Sequence, residues 1–125
     1  MKVVLAVLQV LVGVQFLYVG GNKIITPVDQ LAEQMAWVNS IPASMVPVIG
    51  ILEVAGALGL ILPWLTGIQP QLVRWAAIGL VLTMLGAIAT HFAIGDPFST
   101  YIAPLVFGGL SAFIAYGRTY LHPLP

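Results

Sequence analysis

The sequence predicts an all-α integral membrane protein, a four-helix bundle with a short amphipathic helix lying in the membrane interface between the first two spans. Three observations lead there. Of 125 residues 60% are hydrophobic and only 6% charged, and the mean hydropathy is +1.06, whereas a soluble domain carries about a quarter charged residues. Four stretches approach the roughly 20 apolar residues that a bilayer core requires. Prolines and glycines fall between these stretches, where chain turns are needed.

The spans are expected at about residues 3–25, 45–62, 72–94 and 101–116, within one domain covering 1–125. The first begins after Lys2, as a signal peptide would, but no small-x-small cleavage site follows its span-length apolar run, so it reads as a retained helix. Between the first two spans lies TPVDQLAEQMAWVN. Thr26 can cap a helix there, Pro27 suits its first position, and Asp29 stands three residues after the cap. Val28, Leu31, Met35 and Val38 then share one stripe, opposite Asp29, Gln30, Glu33, Gln34 and Asn39. This pattern predicts an interfacial helix with Trp37 at headgroup depth. Pro42 and Pro47 flank the start of the second span and Pro63 is expected to end it; Pro70 precedes the third, and Gly95-Asp96-Pro97 follows it.

Four basic residues balance four acidic ones, so no basic face exists to hold nucleic acid. Cysteine is absent, which removes disulfides, thiolate metal sites and dithiol redox chemistry. Two histidines at opposite ends cannot both ligate one haem within a single chain, and no His/Glu cluster has metal-ligand spacing, so neither haem nor metal is expected. Ser40, Ser44 and Ser99 sit in loops without a neighbouring base, which leaves no serine nucleophile. Lys2, Arg74 and Arg118 gather at one side and only Lys23 near the other, so both termini are expected in the cytoplasm of a bacterium, with the chain in its inner membrane. Arg74 and Arg118 read as topology anchors. Trp37, Trp64, Trp75, Tyr101 and Tyr120 read as interfacial belt residues, and His122 as exposed.

Glu53 is the anomaly. It stands about eight residues into the second span, roughly 12 Å along the helix. A carboxylate at such depth costs about 2.5–3.5 kcal/mol on insertion scales, and such groups face a bundle interior or a wet cavity with a partner. Helical side chains lean toward the N-terminus of their helix. Glu53, on a descending helix, therefore leans outward, while Lys23 and His91, on ascending helices, lean inward toward it. The three are expected to converge, with Asp96 repelling Glu53 rather than pairing. Tyr18, Asn22 and Thr90 are expected to add polar lining, with Gln15 deeper. The small residues Gly79, Gly86 and Ala87 in the third span, and Gly50, Gly56 and Gly59 around Glu53, are expected to let helix backbones approach. Two readings stay open at this point: a structural ion pair that sets helix register, or a ligand and proton site.

Several motifs together resemble the DoxX-like family across nearly the whole chain. They are Gly21-x-Lys23 closing the first span, Ile49-Gly-Ile-Leu-Glu53-Val-Ala-Gly-Ala-Leu-Gly-Leu-Ile-Leu-Pro63, Ala76-Ala-Ile-Gly79 through Gly86-Ala87 to Thr90-His91, and a final Ala-Tyr-Gly-Arg118. The resemblance implies a four-helix membrane bundle in which Lys23, Glu53 and His91 occupy the family's recurrent polar positions. The founding members are small subunits of a thiosulfate:quinone oxidoreductase. Related proteins accompany methylamine dehydrogenase maturation or thiol oxidative-stress complexes, and distant eukaryotic relatives assist membrane protein assembly. The function expected first is an accessory subunit that binds a quinone-like or other small lipophilic ligand in an outer-half pocket, beside a membrane or redox protein partner. Two alternatives stand beside it: a scaffold or assembly factor without chemistry, and a membrane-embedded acid-base enzyme acting on a lipid or terpenoid. The bilayer is the one partner implied throughout, and a homo-oligomer stays open.

Overall fold

The computed structural model describes residues 1–125 and is helical throughout. The elements run α1 (Lys2–Ile25), α2 (Val28–Gln34), a 3₁₀ segment (Ala36–Ser40), α3 (Met45–Thr66), α4 (Leu72–Ile94), a 3₁₀ turn (Phe98–Tyr101) and α5 (Ile102–Tyr116), which passes into a wide π-type turn (Gly117–Leu121). Four helical stretches, Lys2–Ile25, Met45–Thr66, Leu72–Ile94 and Phe98–Leu121, are long and apolar enough to cross a membrane. The protein is an integral membrane four-helix bundle.

The bundle is up-and-down. Gln9 near the start of α1 bonds Leu60 near the end of α3 and Arg118 beyond the end of α5, so both termini share one end. A core of Val12, Phe16, Ala57, Leu60, Val73, Ala77, Leu80, Met84 and Ile114 ties the helices together in that half. Leucine and valine side chains such as Leu11, Leu62 and Leu85 point outward, as expected where the surrounding solvent is hydrocarbon rather than water.

Three local departures from the expected elements have physical reasons. Pro63 does not end α3; the helix runs one more turn to Thr66 and stops at Gly67, whose left-handed backbone (φ 71°) closes it. A proline removes one helical hydrogen bond, but in lipid the remaining backbone groups have no partner except the helix. The interfacial helix is broken at Met35, which is extended (φ −133°, ψ 102°), leaving α2 and a separate 3₁₀ turn. Thr26 does not cap it, because its hydroxyl donates instead to Asn22 Oδ1 at 2.9 Å. The expected apolar stripe still does its work: Leu31 and Val38 are buried against Val46 of α3, with Val28 and Met35 packed beside them. The segment therefore seals the end of the bundle opposite the termini.

Candidate functional site

α1 and α3 approach so closely at one point that only glycine fits on either side. A Cβ built on Gly50 would lie 2.6 Å from the Gly20 carbonyl oxygen and 2.8 Å from Lys23 Cβ. One built on Gly20 would lie 2.8 Å from the Gly50 carbonyl oxygen and 2.9 Å from Glu53 Cβ. One turn from this crossing, Lys23 Nζ donates to Glu53 Oε1 at 2.6 Å. Both side chains are withdrawn from the surroundings, Glu53 almost completely (2% exposed). The indole of Trp37, on the 3₁₀ turn, covers the pair from above with its ring centroid 5.9 Å from Nζ, a distance at which an ammonium is attracted to the ring face. Trp37 is thus part of the site and not merely a belt residue.

His91 does not complete a triad with these two. Its Nδ1 lies 2.6 Å from Asp96 Oδ2, and no hydrogen bond joins it to Glu53. Asp96, which does not pair with Glu53, is brought by the turn after Gly95 back onto the last turn of α4, where its amide also bonds the His91 carbonyl at 3.0 Å. Tyr101 holds the imidazole edge-on, with ring centroids 6.0 Å apart. An ionised carboxylate can only accept, so the Nδ1 proton belongs to the Asp96 contact, and Nε2 is the ring atom left for a ligand.

The Lys23–Glu53 pair and His91 both border a cavity of about 670 Å³. Lys23, Glu53, His91 and Thr90 all line it, with Gln15 deeper and Trp37, Phe16 and Phe107 among its aromatic walls. Two expected lining residues do not reach it. Tyr18 is 71% exposed and faces lipid, because at roughly 100° per residue it stands on the side of α1 opposite Phe16 and Gly20. Asn22, partly exposed, is occupied with Thr26. Thr90 lines the space, but its hydroxyl donates to the Gly86 carbonyl at 2.9 Å.

The small residues of α4 also act differently from expectation. A Cβ on Gly79 or Gly86 would meet nothing within 4 Å. Gly86, with Thr83 and Ala87, borders the cavity, so these side chains are small where the molecule is hollow. On α3, by contrast, a Cβ on Gly56 would strike Leu80 and one on Gly59 would strike Ala76, which is the close packing that small residues permit.

A second polar cluster lies at the termini end, where the sequence gives little sign of it. Arg118 is buried (6% exposed), and its Nε donates to Gln9 Oε1 at 2.5 Å, while Gln9 Nε2 donates to the Leu60 carbonyl at 2.9 Å. Its Nη1 reaches the His122 carbonyl at 3.3 Å, across the turn closed by His122 N–H on Gly117 at 2.7 Å. Arg118 is therefore part of the fold and not simply an interfacial anchor. The signal available in sequence is Gln9, a polar residue on the buried stripe of α1 fourteen residues before Lys23. Arg74 remains partly exposed, with its guanidinium 5.2 Å from the Trp75 ring centroid.

Fold and site define a small integral membrane protein of four spans, with a buried charge pair and a histidine held by Asp96 facing one cavity. Its family follows from the sequence match: the DoxX-like family profile covers residues 7–114, and the chain belongs to that family. No curated protein and no solved structure matches it.

Proposed function

We propose that the protein is an accessory membrane subunit whose cavity holds a quinone-like or other small lipophile with a polar head, in the service of a membrane or redox partner. The observation that carries this reading is the cavity itself: about 670 Å³, within the usual range for small-molecule sites, with apolar walls at span depth and its ionisable groups at one end. Lys23 Nζ has donors beyond the one given to Glu53, and an ammonium presents three in all; these suit a ligand carbonyl. His91 Nε2, left as an acceptor, suits a ligand hydroxyl. Glu53 keeps Lys23 in place and can accept a proton from a bound hydroxyl. The gathering of Lys2, Arg74 and Arg118 at the termini end supports both termini in the cytoplasm of a bacterial inner membrane, with the cavity toward the opposite face.

Titration of a short-tailed benzoquinone into the protein in nanodiscs, read by quenching of Trp37 fluorescence, tests the reading. Saturable quenching is expected, and Gly86→Leu should abolish it while leaving thermal stability intact, because Gly86 borders the cavity and a Cβ there meets nothing within 4 Å. Linear, unsaturable quenching in the wild type, or full binding in Gly86→Leu, rules the reading out.

The His–Asp pair makes a separate expectation. Asp96→Ala frees the imidazole tautomer, so affinity for the reduced, hydroxyl-bearing quinol should fall about tenfold, equivalent to roughly 1.4 kcal/mol, while affinity for the quinone changes less. Equal loss for both redox forms would show that Asp96 only supports the local fold.

A scaffold without chemistry is the second reading, favoured by one observation: the Gly20–Gly50 crossing and the Lys23–Glu53 bond together make α1 and α3 a rigid pair. Retained function in the double variant Lys23→Met/Glu53→Leu, where each single variant is damaged, would select it.

A further inference from the structure

The termini end of the bundle carries a second hollow, of about 400 Å³, whose border includes Lys2, Val3, Trp64, Arg118, Leu124 and Pro125. Two cations face it and neither forms an ion pair with a carboxylate. The four acidic residues lie elsewhere: Asp29 and Glu33 on α2, Asp96 after α4, and Glu53 bonded to Lys23. We propose that this hollow is a binding site for a phosphate-bearing anion, with the headgroup of an anionic phospholipid as its source.

Three features support that chemistry. The guanidinium of Arg118 is fixed before any ligand arrives, by Gln9 on one edge and the His122 carbonyl on another, and its Nη2 has no partner in the fold. A planar guanidinium with free donors is suited to phosphate oxygens, and its immobilisation removes much of the ordering cost of binding. Lys2 supplies the second charge from the first turn of α1, and being exposed it can adjust to the ligand. The remaining walls are what a lipid needs around its headgroup: Trp64, an aromatic of interfacial type, and Val3 and Leu124, apolar surface on which the upper acyl chain can lie. The same two cations would accept free phosphate, so the source is decided by experiment.

The full chain in detergent micelles is titrated with dioctanoyl phosphatidylglycerol, dioctanoyl phosphatidylcholine or inorganic phosphate, with thermal unfolding as the readout. Phosphatidylglycerol should raise the unfolding temperature saturably and phosphatidylcholine should not. Arg118→Gln also strips Gln9 of its partner and can fail to fold, so Lys2→Gln is the deciding variant. It should weaken phosphatidylglycerol binding about fivefold, matching the ~1 kcal/mol that one basic residue contributes at an anionic membrane surface. Arg74→Gln, at the same end but away from the hollow, should leave it unchanged. An equal response to inorganic phosphate, with the same dependence on Lys2, supports the anion site and assigns it to free phosphate. The proposal is overturned if the two lipids act alike, if Lys2→Gln binds as the wild type does, or if Arg74→Gln weakens binding as much as Lys2→Gln.

Discussion

Lys23→Met is expected to destabilise the protein by about 3–5 kcal/mol, the usual consequence of leaving one member of a buried ion pair alone. The magnitude follows from the 2.6 Å Lys23–Glu53 bond and from the 2% exposure of the Glu53 side chain, which leave the carboxylate no other hydrogen-bond partner in the fold. The adjoining cavity admits a water more readily than a packed core would, which places the expected cost nearer 3 than 5 kcal/mol. Arg74→Met is the comparison. Arg74 is half-buried beside the Trp75 ring and forms no ion pair, so its loss should cost under about 1 kcal/mol. Adding Glu53→Leu to Lys23→Met should recover most of the stability, since an apolar pair of similar volume avoids desolvating two charges. Reversible unfolding in mixed micelles measures all three. Equal losses for Lys23→Met and Arg74→Met would mean that the pair contributes nothing beyond a surface charge.

Gly50→Val should come close to the same loss by another route. Its first added carbon would stand 2.6 Å from the Gly20 carbonyl oxygen, which is backbone and cannot step aside. Overpacking of this kind costs about 1–3 kcal/mol, and the helices must also separate just where Lys23 and Glu53 meet. The two effects share a cause, so Gly50→Val combined with Lys23→Met should cost clearly less than the sum of the single losses. Gly21→Ala provides the control. A Cβ there meets nothing within 4 Å, and alanine gains up to about 1 kcal/mol of helix propensity over glycine. If Gly21→Ala and Gly50→Val destabilise alike, the crossing is not the tight contact described.

The spans could be read because lipid leaves few alternatives: an apolar run of membrane length must satisfy its backbone by itself, and a helix does so. Glu53 could be read for the same reason, since a carboxylate in such a run requires company, and the lean of helical side chains nominated Lys23. What escaped was whatever depends on a turn of a few residues. The fold-back after Gly95 is what gives His91 to Asp96, and no periodicity reports such a turn. The π-type turn at Gly117 likewise aims Arg118 inward at Gln9, where an ordinary helical register reads as an anchor at the surface. Tyr18 is close to Lys23 along the chain but lies on another face of α1, and nearness in sequence does not report the face. For the α4 glycines, sequence shows that a side chain is small, and not whether the space beside it is filled or empty.

The cavity is bordered by Leu52 and Leu82, both more than half exposed on the outer surface of the spans. If the cavity holds a lipophile as proposed, these residues give that molecule a sideways approach from among the acyl chains. Its supply is then set by how many such molecules there are per lipid, a quantity that hydrophobic partitioning keeps far above any dissolved concentration. Occupancy can be high although the contacts are individually weak, and exchange can be fast enough to serve a partner that takes the ligand up in turn. On that reading the affinity is meaningful as a mole fraction of the bilayer, and a value measured in detergent would drift with micelle content while the chemistry of the site stays the same.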